Sequence, residues 1–187
     1  MVKRPARGVF GGIWVFPGGA LEPIDHDAAA LGFDDPWRAA AMRETAEEVG
    51  VYLTDPQLGH LARDGRSVLE VVTSHRARFA PERLRHISTF VTPEGVPRRF
   101  DTRFYLAEVP GDTDASVDEA ELVDVAWITP AAAIARHTAG SWSVILPTLH
   151  HLRLLAESDD PPALQPAPPR AVRLHRGRPA FVEDDTA

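Results

Sequence analysis

Apolar and polar positions divide the chain into short β-prone runs and helical segments. Ile13, Trp14, Val15 and Phe16 form an apolar, β-prone run that stops at Pro17, Gly18 and Gly19, which predicts a short strand entering a glycine loop. Residues 22–36 read as a loop, with Pro23, Asp25, Asp27, Gly32, Asp34 and Asp35 around an alanine run at 28–30. Asp35 followed by Pro36 has the form of a helix start, an acidic N-cap with proline at the first helical position. Strong helix formers fill 37–49, and Gly50 stands where a C-terminal cap belongs.

The polar stretch 56–85 is expected to be partly helical. Two β-like runs follow, 87–92 and 103–109, separated by Pro93, Gly95 and Pro97, so a hairpin with a long connection is predicted. A third run, 122–128, ends at Thr129 and Pro130, which can open another helix. Apolar residues at 145, 146, 149, 152 and 155 recur at helical spacing and mark one buried face. Beyond Ser158, prolines at 161, 162, 166, 168, 169 and 179 indicate an extended tail with one short strand around 171–174. The expected division is a folded domain over 1–157 and a Pro-rich tail over 158–187, with no internal repeat.

Composition narrows the classes of function. A chain of 187 residues with 44% apolar and 25% charged residues suits one globular domain with an ordinary core. The formal net charge of −7 argues against a nucleic-acid partner, because phosphate backbones are bound through clustered Lys and Arg. With no cysteine, disulfides, thiolate metal sites and thiol nucleophiles are excluded, leaving oxygen and imidazole ligands. No apolar run approaches the roughly 18 to 20 residues of a membrane span, and the N-terminus lacks a signal-peptide layout. No membrane partner and a cytoplasmic location are therefore expected, and a homodimer is compatible with the sequence.

The chemistry concentrates on the predicted 37–49 helix. Residues three and four apart are neighbours on a helix, so Glu44, Glu47 and Glu48 share a face, with Arg43 four before Glu47. Like charges at this spacing repel by a few tenths of a kcal/mol per pair, a cost that a hard divalent cation with oxygen ligands reverses. Mg2+ suits such a site because it needs only one or two protein carboxylates and takes its other ligands from water and substrate phosphates. Each glutamate alone reads as part of a solvated face. Together, Arg-Glu-x-x-Glu-Glu-x-Gly arises by chance roughly once in ten thousand chains of this size at average residue usage.

On these residues the chain resembles the Nudix hydrolase family, whose box reads G-x5-E-x7-R-E-U-x-E-E-x-G-U with U aliphatic. The chain supplies Gly19, then Arg43, Glu44, Thr45, Glu47, Glu48, Gly50 and Val51. Counting back from Arg43 puts the first acid of the box at Asp35, with Gly19 ten residues too far upstream and an insertion in the loop. Thr45 stands where an aliphatic residue is usual. The resemblance implies an α/β fold, an α/β/α sandwich with a mixed central sheet. Only 17 residues precede Gly18, so Met1 is expected to fall inside the first strand of that sheet, which would then lack a part.

The resemblance further implies a hydrolase that uses Mg2+ or Mn2+ to cut a phosphoanhydride bond in a small nucleotide substrate. Glu47, Glu48 and the Gly18 carbonyl would bind metal. Glu44 would bind metal or deprotonate the attacking water, and Arg43 would pair with a carboxylate to join helix and loop. Glu119 and Glu121, in an acidic loop before Trp127, would supply a late ligand or base, or form a solvated loop. The segments 12–19, 92–93 and 98–104 look like the branch of coenzyme A and acyl-CoA diphosphatases, although the arginine expected four residues before the glycine of G-x3-F-P-G-G is Gly8, with Arg7 beside it. Arg98, Arg99 and Arg103 are the candidate phosphate binders, with surface arginines flanking strands as the equal alternative. His26, His86, His137, His150 and His151 read as structural or exposed. Two alternatives stand beside the coenzyme A reading: a dinucleotide or nucleotide-sugar pyrophosphatase, and a noncatalytic ligand sensor built on the same scaffold.

Overall fold

A computed structural model of the chain describes residues 1–7, 11–27, 35–53, 83–92, 94, 99–109, 111–117, 121–159 and 161, and the backbone of 170–175 and 178–181. In chain order the elements are β1 (Val2–Lys3), β2 (Trp14–Val15), α1 (Pro23–His26), α2 (Pro36–Val49), β3 (Arg85–Val91), β4 (Asp101–Leu106), β5 (Asp124–Val125), α3 (Pro130–Thr138), α4 (Leu146–Glu157), β6 (Arg170–His175) and β7 (Arg178–Phe181). The strands form two sheets, a three-stranded one of order β2-β1-β5 and a four-stranded one of order β4-β3-β6-β7. Pairing is antiparallel except between β3 and β6, where Phe90 aligns with Arg170 in parallel, so the second sheet is mixed.

The central helix forms where the sequence placed it. Asp35 caps its N-terminus by accepting the Trp37 N–H at 3.0 Å, Pro36 opens the first turn, and Gly50 closes the helix in the left-handed conformation. Ala39, Met42 and Ala46 of α2 pack with Leu53 and Leu84, and Tyr105 lies against the same cluster. One turn further on, Val49 and Val51 meet Val2 and Leu122 under the first sheet. The opposite face of that sheet is covered by α3 and α4, through Trp14, Ala133, Trp142, Val144 and Leu152. The Trp14 and Trp142 rings lie face to face at 3.7 Å between centroids, and the Arg136 guanidinium sits 5.0 Å above Trp142. Helices thus cover both faces of the sheets, an α/β sandwich.

Two expectations change in detail, one is met and one falls outside the described residues. The loop read at 22–36 contains the helical turn α1, closed by a reciprocal capping pair in which Glu22 N–H donates to Asp25 at 2.8 Å. The strand expected over 122–128 narrows to Asp124–Val125, because only these residues find a partner strand, in β1. The strand expected around 171–174 is present as β6, bonded to both β3 and β7. Most of 56–85, read as partly helical, lies outside the described residues.

The most buried residue of α4 is a histidine. His151 is 0% exposed, stacked on Phe104 at 4.0 Å between ring centroids and flanked by Phe16, Phe90 and His150. Its Nδ1 lies 2.7 Å from the Pro147 carbonyl, which can only accept, so Nδ1 carries the proton and Nε2 accepts from the Ser88 hydroxyl. Burial, aided by the His150 charge and opposed by the Pro147 bond, pushes its pKa down to about 4. A depressed histidine pKa contributes stability that is complete above the unfolded value near 6.5 and is lost as the pH falls toward 4. That contribution is about 3 kcal/mol. In a proton NMR titration His151 should stay neutral from pH 8 down to 5, and titration near 6.5 would show that the ring is not buried as described.

Candidate active site

Glu44 and Glu48 of α2 meet the glycine turn that follows β2, and Glu47 joins them through Arg43. Glu48 is 1% exposed and accepts the Gly18 N–H on Oε2 at 2.8 Å. Gly18 has φ of 150°, a conformation few other residues adopt. Gly19 lies so near Glu44 that a Cβ there would collide with the Glu44 carboxylate. The glycine pair therefore lets backbone approach two acids at once.

Arg43 is the strap of the site. Its Nε and Nη2 each lie 3.0 Å from an oxygen of Asp25, a fork to a carboxylate that is 3% exposed. Nη2 also donates to the Ala20 carbonyl at 3.1 Å, while Nη1 reaches Glu44 at 3.1 Å and Glu47 at 3.0 Å. Burial works against the guanidinium charge, but these acids outweigh it and raise its pKa above the ordinary arginine value.

The first acid of the motif is thus corrected from Asp35 to Asp25. Asp35 serves as the N-cap of α2 and accepts the Tyr105 hydroxyl at 3.3 Å, whereas Asp25 holds Arg43. Counting forward from Gly19 would have found it, since Asp25 lies six positions on, the spacing of the motif's first acid. The insertion accordingly falls between Asp25 and Arg43. Thr45, at the usual aliphatic position, turns its hydroxyl to the Ala41 carbonyl at 2.7 Å.

Burial raises the pKa of Glu44, Glu47 and Glu48, that of Glu48 to about 7. Arg43 opposes the rise at Glu44 and Glu47; at Glu48 the Gly18 N–H and the Arg4 charge do so. The Glu121 charge raises all three, which sets Glu121 beside the cluster, next to the buried anchor Leu122. Two further contributors had no motif to reveal them. Glu22 adds its charge against Glu47, and Arg4 bonds to Glu48.

Of the three arginines expected to meet substrate, Arg99 and Arg103 are among the described residues. Arg103 points at the start of α2, 3.7 Å from Asp35 and stacked 3.6 Å from the Trp37 ring centroid. Arg99, half-exposed, donates to the Thr92 carbonyl at 3.1 Å and stands 3.8 Å from Glu94. Arg98 and Glu119 lie outside the described residues.

The donor set suits a hard divalent cation: clustered carboxylates, with the Gly18 carbonyl beside them and a surplus of negative charge. Among the described residues no three acids or histidines converge closely enough to cage an ion unaided.

A family model described as NUDIX domain matches residues 1–146. The chain belongs to the NUDIX domain family. A Caenorhabditis elegans protein named "Putative nudix hydrolase 7" is 30% identical over 170 residues, 86% of this chain. The chain spans 56% of that curated relative's length. A crystal structure of a NUDIX hydrolase from Alicyclobacillus acidocaldarius superposes with a TM-score of 0.68 at 29% identity, covering 83% of this chain and 82% of that one. The α/β sandwich is therefore a Nudix fold, with Arg43, Glu44, Glu47 and Glu48 in the Nudix box. Among the described residues no helix is long and apolar enough to cross a membrane.

Proposed function

We propose that this Nudix domain is a hydrolase, dependent on Mg2+ or Mn2+, that cleaves the phosphoanhydride bond of a nucleoside diphosphate derivative, with coenzyme A or acyl-CoA as substrate. The observation that carries this reading is the contact of the Gly18–Gly19 turn with Glu48 and Glu44, beside Glu47 and the charge of Glu121. Glu47, Glu48 and the Gly18 carbonyl would hold the cation. Bound there, the cation would supply Lewis-acid chemistry, polarising a phosphoryl oxygen, acidifying water and offsetting charge on the leaving oxygen.

Glu44, whose pKa burial raises above the ordinary glutamate value, would take the proton of the attacking water, and Glu121 is the second candidate base. The water oxygen forms a bond to phosphorus as the anhydride bond breaks, giving two phosphate monoesters. From coenzyme A these are adenosine 3',5'-bisphosphate and 4'-phosphopantetheine. Arg43 touches no reacting atom in this scheme and acts by fixing Glu44 and Glu47. The net charge of −7 argues against a nucleic-acid partner, and an anionic small substrate would need local positive charge or the cation.

Support for the coenzyme A branch comes from the sequence segments 12–19, 92–93 and 98–104. The engagement of Arg103 with Asp35 and Trp37 favours the second reading, a dinucleotide or nucleotide sugar, because it leaves fewer cations for a 3'-phosphate. A panel of CoA, acyl-CoAs, ADP-ribose, NADH and diadenosine polyphosphates with Mg2+ or Mn2+ tests both. Turnover lost in Glu48→Gln is expected. Tight binding of one compound without cleavage would put a ligand sensor in place of the enzyme. Arg99→Ala should raise KM for CoA several-fold with a smaller effect on kcat, and an unchanged KM removes Arg99 from the substrate site.

A further inference from the structure

Arg4, just after β1, is tied to the acidic cluster in a way that neither its position nor any motif foretells. One nitrogen of its guanidinium, Nη2, donates both to the Gly18 carbonyl and to Glu48 Oε1, the latter at 3.3 Å. Those are two of the oxygens assigned above to the divalent cation. The contrast with Arg43 is informative. Arg43 is fixed through three nitrogens to Asp25, Glu44, Glu47 and Ala20. Arg4 engages the cluster by a single nitrogen, and its side chain is 35% exposed. Its backbone is secured independently, with Arg4 N–H donating to the Ile13 carbonyl at 3.0 Å. The guanidinium can therefore leave the two oxygens by side-chain rotation, without disturbing β1 or β2.

We propose that Arg4 is an exchangeable internal counter-ion, which competes with the divalent cation for Gly18 and Glu48 and, once displaced, turns to the phosphates of the substrate. The inference rests on the metal-dependent reading of the site. Two positive charges cannot share these oxygens at a few ångströms without mutual repulsion, so one must yield. The displaced group remains tethered at the edge of the cluster. There a guanidinium matches phosphate oxygens in geometry and charge, and it offsets the repulsion between an anionic substrate and Glu22, Glu44, Glu47 and Glu121. Arg4 is thus a positioning residue before the cation binds and a substrate ligand afterwards.

The test measures Mn2+ binding to the substrate-free full chain by electron paramagnetic resonance, in wild type, Arg4→Met and Arg4→Lys. Arg4→Met should bind Mn2+ about tenfold more tightly, because a like charge a few ångströms away is removed. Arg4→Lys should stay near wild type. In turnover assays Arg4→Met should raise KM more than it lowers kcat, with Arg4→Lys recovering part of the loss. Equal or weaker Mn2+ binding by Arg4→Met overturns the exchange and leaves the metal site standing. Failure of wild type and Arg4→Met alike to bind Mn2+ overturns this inference, whereas absence of metal-dependent turnover in the substrate panel overturns the metal-dependent reading. Should Arg4→Met fail to fold, 15N-arginine NMR of the wild type decides. Addition of Mg2+ should speed rotation of the Arg4 guanidinium, and unchanged rotation overturns the proposal.

Discussion

Arg43→Ala is expected to destabilise the fold by about 3 to 5 kcal/mol, the usual result of removing one partner of a buried charge pair. Asp25 then keeps its charge in a nearly solvent-free position and loses two of its hydrogen bonds, while Glu44 and Glu47 lose the cation between them. For a domain of this size the melting temperature should fall on the order of 10 °C. Arg43→Lys should recover only part of this, because an ammonium is a point charge and cannot make the fork. A double-mutant cycle with Asp25→Ala distinguishes a specific pair from general damage. The double variant should be much less destabilised than the sum of the two singles, and strict additivity would mean that Asp25 is not the partner.

Glu48→Gln is expected to act in opposite directions on stability and on turnover. In metal-free protein the Glu48 carboxyl has its pKa raised from 4.5 to about 7, chiefly by burial. A raised folded-state pKa means that the stabilising contribution is complete below about 4.5 and is lost as the pH rises through 7. The loss approaches about 3 kcal/mol by pH 8. Glutamine is nearly the same shape, can still accept the Gly18 N–H, and carries no charge to bury. With chelator present, the variant should therefore resist urea better than wild type at pH 8, and the advantage should vanish at pH 5. Hydrolysis should fall roughly a hundred- to a thousandfold, because a neutral amide is a poor ligand for a hard cation. A variant that is less stable at pH 8, or equally active, would contradict the buried, cation-binding role given to Glu48.

The parts of this site that could be read from sequence are those encoded locally. Asp35-Pro36 and Gly50 delimit α2 because capping depends on residues within one turn of the helix end. Glu44 and Glu48 fall on the side of the glycine turn because helical spacing fixes which side chains are neighbours. Asp25 was hidden by an insertion, since counting back from Arg43 crosses it and counting forward from Gly19 does not. Arg4 reaches Glu48 across 44 positions, and Glu121 reaches the cluster through a loop anchored by Leu122. Both placements are products of tertiary packing, which carries no local periodicity. For the same reason the apolar spacing in α4 marked a helix correctly but missed that its most buried side chain is His151, held by Ser88 from β3. The shortening of β5 has a similar cause, because its length is set by the two residues that β1 offers.

The fork between Asp25 and Arg43 has a consequence for the chain that runs between them. With the two ends clasped, residues inserted between Asp27 and Asp35 add to the cost of joining them only as closure entropy. That quantity grows slowly, by roughly 0.6 kcal/mol for each doubling of length. Lengthening at this point is therefore cheap and leaves the acids in place.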